Sequence, residues 1–304
     1  MPRRRPHQPP QLGHRAVSRR SVLRPSLEQL ERRWALATFA VGPLTYDTRT
    51  DGGVAVIRCD EVATAALIPA TVTNPESGKP VAVKAIDSDA FARCKSLKNV
   101  TIPSSVTSIG RGAFRLCTAL QSIAIPGSVE TVEWETFYDC SSLTSVSLGE
   151  GVKTIEGFFD FSIPGDFPPW PEESVFWGAF HGCTSLTSIT LPASLTNFDQ
   201  TAFANTGLQH IDVAAGSTTY GSFDGILSDA AISTVTWCPS GRQRDVVLPT
   251  TVTSVPAGVF SNCRDITRIH VAQGNPAFAG IDGILVDRSL STVILCPRGR
   301  KGSL

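Results

Sequence analysis

Apolar positions along this chain recur with a period of about 23 residues, longer than a helical face or a single alternating strand would give. Phe91, Phe114 and Phe137 are 23 residues apart, Phe180 follows after 43, Phe203 after another 23, and Phe260 restarts the series. Behind each ring the order is F-x2-C-x2-L-x2-[IV]-x-[IL]-P-x-x-[VL]-x-x-[IVF], with local departures. The first coil reads Phe91, Cys94, Leu97, Val100, Ile102, Pro103, Val106 and Ile109, and the second reads Phe114, Cys117, Leu120, Ile123, Ile125, Pro126, Val129 and Val132. The third places Gly149 where the proline belongs, and the fourth runs from Phe180 to Phe198.

In L-x-x-I-x-I-P the last two apolar residues are two apart, the period of a strand with one buried face, and proline ends the strand because it cannot donate to a ladder. The later V-x-x-I stretch returns the chain, and the A-F-x-x-C turn plugs the coil with a ring and a thiol. One coil cannot bury its apolar side alone, so the pattern predicts stacked neighbours about 4.8 Å apart.

A second repeat occupies the C-terminal third, where residues 216–242 match 274–300 at an offset of 58. Paired segments include Asp224-Gly225-Ile226-Leu227 with Asp282-Gly283-Ile284-Leu285, Ser233-Thr234-Val235 with Ser291-Thr292-Val293, and Gly241-Arg242 with Gly299-Arg300. Asp-Gly before an apolar pair predicts a hairpin turn, because glycine tolerates positive φ.

The motif Ala-Phe-x-x-Cys-x-x-Leu-x-x-Ile-x-Leu-Pro-x-x-Val-x-x-Ile, recurring in register over residues 81–304, resembles the BspA-type leucine-rich repeat family of bacterial and protist surface proteins. The resemblance implies a right-handed, horseshoe-like α/β solenoid, β-rich with short helical turns, and a role in adhesion or partner binding. It supplies no catalytic residue. Residues 44–72 resemble the β-hairpin segment that precedes such repeats. The expected organisation is a disordered basic tail over 1–43, a β-hairpin cap over 44–80 and a solenoid over 81–304. The solenoid carries an aromatic insertion at 156–178 and no evident C-terminal cap. An uncapped last coil predicts fraying or end-to-end association, and with it a chain that is part of something longer.

Charge sharpens the tail. The first 36 residues hold nine arginines against Glu28 and Glu31, so the neutral whole leaves an acidic body. Such a body lacks the clustered cations that a nucleic-acid surface requires. Ser18-Arg19-Arg20-Ser21-Val22-Leu23-Arg24 resembles a twin-arginine export motif, and Leu27 to Ala37 resembles the LE-x-LE-x-R-x-LLA segment of exported bacterial surface proteins. Export to the cell surface or the extracellular space is the expectation, with no run long enough for a membrane span.

Eight cysteines invite a disulfide reading, but Cys94, Cys117, Cys140, Cys183 and Cys263 share one repeat position, which Thr206 fills in the Phe203 coil. Equivalent residues of stacked coils point in parallel, which suits buried free thiols better than bonds. Zinc-ligand spacings, a nucleophile elbow and phosphate loops do not occur, so no metal, cofactor or catalytic residue is assigned and the chain reads as a non-enzyme.

Two binding candidates remain. The aromatic insertion carries Phe167, Trp170, Phe176 and Trp177, either folded back on the solenoid flank or exposed as an anchor. On the strand face the outward pairs run from Asn99 and Thr101, through Ser122 and Ala124, Ser145 and Ser147, Ser188 and Thr190, to His210 with Asp212 and Arg268 with His270. The last four residues form the charged end of an otherwise neutral face. The function expected is a protein-binding or adhesion module, with a structural spacer or a carbohydrate-targeting module as alternatives; the ligand is accordingly a protein or a glycan.

Overall fold

The computed structural model describes residues 38–157 and 178–300; the tail, most of the aromatic insertion and the last four residues lie outside that range. Parallel strands one coil apart carry the architecture. Ala65–Leu67, Asn99–Thr101, Ser122–Ile125 and Ser145–Leu148 form one four-stranded parallel ladder, with Asn99 opposite Ser122 and Ser122 opposite Ser145. On the return side Thr131–Val132, Thr154–Ile155 and Asn197–Phe198 form a second. Ser188–Leu191 pairs in parallel with His210–Val213, and Val246–Leu248 with Ile269–Val271. The register therefore advances by one motif per coil, as the period predicts.

Inside the coils the rings form a column. Phe91, Phe114, Phe137, Phe180 and Phe203 are fully buried, and successive centroids are 4.8, 5.4, 5.2 and 5.1 Å apart with nearly parallel planes. The Phe137–Phe180 step falls within the range of the others although it spans the long interval. The insertion thus leaves the coil stack intact, and Ala179 N–H donates to Glu156 O at 3.0 Å where its two ends meet. Gly157 and Gly178 stand at that base because a Cβ on either would lie within 2.3 Å of Thr201 in the next coil.

The cysteines are all free, seven of them buried and Cys296 exposed. Each central thiol donates to the ring residue of the preceding coil: Cys117 to Phe91 O at 3.0 Å, Cys140 to Phe114 O at 3.1 Å and Cys183 to Phe137 O at 3.2 Å. Burial pushes the Cys117 thiol up to about 12, which keeps it protonated and inert. Thr206, filling the same position, turns its hydroxyl to Phe203 O of its own coil at 2.8 Å.

Gly149 has a steric reason. Its Cβ would lie 2.4 Å from Gly127 N, a Cβ on Gly151 would lie 2.1 Å from Gly127 O, and one on Gly127 would lie 1.8 Å from Glu150 O. Backbones touch there, and Gly149 N–H donates to Ile125 O at 2.9 Å, a bond proline cannot make.

Helix is scarce: among the described residues the short helical turns expected above reduce to one 3-10 turn, Gln200–Phe203, capped by the Asp199 carboxylate on Thr201 N–H. The A-F-x-x-C segments close as turns, in which the residue before the cysteine position takes positive φ (Arg93, Leu116, Asp139, Gly182, Asn205). From Arg93 to Gly182 its N–H donates to the next coil, and this interruption of local helical bonding is the physical cause. At the N-terminal side Thr38–Val41, Leu44–Thr48 and Val54–Cys59 form an antiparallel meander, so the sheet begins before the expected cap start at residue 44.

Candidate functional site

The strand face carries the outward pairs in register. Asn99, Ser122 and Ser145 are exposed in line, Thr101, Ala124 and Ser147 form the neighbouring line, and the buried residues between them face the core. Ser188 sits opposite His210 and Thr190 opposite Asp212 on the next pair of strands. Ser122 Oγ reaches Asn99 Oδ1 at 3.5 Å, so the line is a shallow row of hydroxyls and amides.

The expected four-residue end patch resolves into two pairs. His210 Nε2 lies 3.1 Å from Asp212 Oδ1 across one strand, with its ring over Gly225, where a Cβ would meet Nδ1 at 2.2 Å. His270, on a strand of a separate sheet, pairs at 3.9 Å with Asp245, which immediately precedes the partner strand, and the Arg268 stem packs over Gly283 as His210 does over Gly225. Between the pairs lies the Asp224-Gly225 turn, which takes Ile211 N–H on Gly225 O at 3.1 Å and Val247 N–H on Asp224 Oδ2 at 3.2 Å. The insertion residues Phe167, Trp170, Phe176 and Trp177 lie outside the described residues.

Asp245 belongs to this end and was not singled out from sequence. Burial works to raise its carboxyl. Hydrogen bonds from the Thr267 hydroxyl at 2.8 Å and the Arg268 and Thr267 N–H groups, with His270 nearby, hold it below the usual carboxylate range.

The most constrained polar group is Arg242, 1% exposed. Its guanidinium donates to Asp224 Oδ2 at 2.6 Å, Arg244 O at 3.1 Å, Asp245 O at 2.9 Å and Asp224 O. A buried charge is tolerated because four acceptors replace its water. Asp224 (φ 49°) and Gly225 (φ 76°) form the hairpin turn predicted by the Asp-Gly pair, and Tyr220–Phe223 pairs antiparallel with Ile226–Asp229. Asp282 (φ 51°) and Gly283 (φ 82°) do the same between Phe278–Ile281 and Ile284–Asp287. The repeated Gly-Arg at 241–242 and 299–300 was the available signal that an arginine is built into this unit.

Parallel strands at one coil per step, a ring-and-thiol interior and an outward polar ladder define a leucine-rich-repeat protein. The sequence matches the BspA type Leucine rich repeat region in six copies over residues 76–162, 173–224 and 231–279, and the chain belongs to that family. Among solved structures it is similar to the pneumococcal vaccine antigen PcpA, with 17% identity, coverage of 88% of this chain and 71% of that one, and a TM-score of 0.54; the two share a fold. It is also similar to a leucine rich cell surface protein from Faecalibacterium prausnitzii A2-165, at 23% identity, 76% coverage of each chain and a TM-score of 0.42. The T. pallidum leucine rich repeat protein TpLRR stands at 21% identity, 78% and 81% coverage and a TM-score of 0.47. No curated protein matches the chain. Among the described residues no helix is long and apolar enough to cross a membrane.

Proposed function

We propose that the chain is a non-catalytic protein-binding or adhesion module of an exported surface protein, with the outward strand ladder as its platform. The observation that carries this reading is the unbroken row of small, exposed, uncharged side chains at Asn99, Ser122 and Ser145, fixed in register by backbone pairing. A rigid shallow face of that kind offers hydrogen-bond donors and acceptors at low ordering cost to a protein ligand. His210 and Asp212 give its charged end, and the aromatic insertion, rooted beside the same coils, supplies Trp170 and Trp177 as anchors. Arg268 and His270 form the second charged point of contact.

The test is adhesion of the purified chain to intact cells, read beside a carbohydrate array. Ser122→Arg with Ser145→Arg leaves the core untouched and is expected to weaken cell binding at least tenfold, as is Trp170→Ala with Trp177→Ala. Binding that survives both double variants overturns the reading, and binding transferred to the array names a glycan as the ligand. Export is tested separately by fractionation: full-length protein confined to the cytosol defeats it.

A further inference from the structure

Two pairs of cysteines depart from the stacking that keeps the central thiols apart. Cys117, Cys140 and Cys183 each donate to the ring residue's carbonyl one coil back, so those sulfurs stay in separate layers. A motif coil that follows an element of another kind meets a different neighbour. The Phe91 coil follows the N-terminal meander, and there Cys94 faces Cys59, the last residue of strand Val54–Cys59. The Phe260 coil follows the unit built on the Asp224-Gly225 hairpin, and there Cys263 faces Cys238, the residue after strand Val235–Trp237.

Both junctions have the same geometry. Cys59 Sγ and Cys94 Sγ reach one acceptor, Asp60 O, at 3.5 and 4.0 Å, and Cys238 Sγ and Cys263 Sγ reach Pro239 O at 3.9 and 3.4 Å. Within each pair the two thiols are also in hydrogen-bonding contact with each other. All four residues are at most 2% exposed. The members of a pair occupy different positions in the sequence pattern, so the parallel alignment that separates equivalent cysteines does not apply to them. The column of stacked rings runs from Phe91 to Phe203, and neither junction is held by it.

We propose that Cys59–Cys94 and Cys238–Cys263 are cystine sites, closed when the chain folds where a disulfide-bearing oxidant is present. The structure holds the reduced form, with every thiol free. In each closure one cysteine thiolate attacks the oxidant's disulfide, forming a mixed disulfide and releasing one thiol. The neighbouring thiolate then attacks the cysteine sulfur of that mixed disulfide and releases the second. The pair loses two electrons and two protons, and the oxidant, gaining both, ends as two thiols. Mutual contact, then burial, pushes the Cys59 and Cys238 thiols far above their ordinary value, so the finished fold reacts slowly and closure belongs to folding. One link fastens the N-terminal sheet to the coil stack, and the other fastens the hairpin unit to the Phe260 coil. The sites are a property of the folded chain; export decides only whether the oxidant is met.

For the test, the full chain is reduced in denaturant and refolded in a buffer of oxidised and reduced glutathione. Free thiols are blocked with iodoacetamide, and the links are mapped by mass spectrometry of peptides cut without reductant. Two cystines are expected, Cys59–Cys94 and Cys238–Cys263, with Cys117, Cys140, Cys183 and Cys296 alkylated. The oxidised chain should melt about 5–10 °C above the same sample treated with reductant. Cys59→Ser should delete the first link and keep the second, and Cys263→Ser the reverse; the wild-type map decides the outcome if either variant fails to fold. Absence of either link, or pairing of these cysteines with other partners, overturns the proposal. Because the buffer supplies the oxidant, that result leaves the surface reading standing, and a cytosolic chain that still closes both links in the buffer defeats export alone.

Discussion

A thiol that hydrogen-bonds the carbonyl of the ring residue one coil back is chemically quiet, and this gives the first prediction. Seven cysteines are buried and Cys296 is exposed, so a maleimide added to native protein should label one thiol per chain, and eight in denaturant. Two or more labelled in the native state would contradict the burial. Asp287 has the opposite environment. The Ser289 hydroxyl, then the Thr292 N–H, with Ser291 adding to them against slight desolvation, lower its carboxyl to about 2. A depressed carboxylate stabilises the fold fully above its unfolded value near 3.9. That contribution fades as pH falls through about 2. The Asp287 carboxyl carbon should therefore titrate near 2 by NMR, and Asp287→Asn should remove the acid-dependent opening of the 287–292 turn. Burial and repetition made the thiol role readable from sequence. Carboxylate behaviour was not readable, because it depends on which hydroxyls a turn brings round.

Within single coils the sequence period stated the strands, their outward residues and the hairpins at Asp224 and Asp282. Left unread were the close approach at Gly127, Gly149 and Gly151 and the left-handed residues before each cysteine position, since Arg, Leu, Asp and Asn there give no glycine signal. Gly127→Ala should cost about 1–3 kcal/mol through overpacking against Glu150 O, read as a lower chemical-denaturation midpoint. An unchanged midpoint would mean that the two backbones part freely. Phe137→Ala opens a hole in the middle of the ring column and should cost about 3–5 kcal/mol. The buried clamp gives a paired comparison: Arg242→Ala strands Asp224 and should cost about 3–5 kcal/mol, while Arg300→Ala, at its more exposed counterpart, should cost much less. Equal losses in the two variants would contradict the difference in burial between the two arginines.

At the scale of the molecule, the family and the coil stack followed from a single recurring motif, whereas the candidate site was only partly legible. Serines and threonines on a strand face look alike whether they bind a partner or merely face water, and the charged end divides into His210–Asp212 and His270–Asp245 because the Asp224 turn lies between their strands. Sequence distance cannot show such a partition. The offset of 58 did show that the two C-terminal units are equivalent, and both fold as Asp-Gly hairpins.

Neighbour-to-neighbour stacking also sets how the chain would respond to being pulled. Each central coil holds the next through a few strand bonds, one ring contact and one thiol bond, so tension applied at the two ends should peel coils in sequence. A coil of 23 residues would lengthen the tether by roughly 80 Å, and the one containing the insertion, with 43 residues between its rings, by roughly 150 Å. Single-molecule stretching should thus give a sawtooth with one oversized tooth, the chain lengthening in steps rather than parting at once.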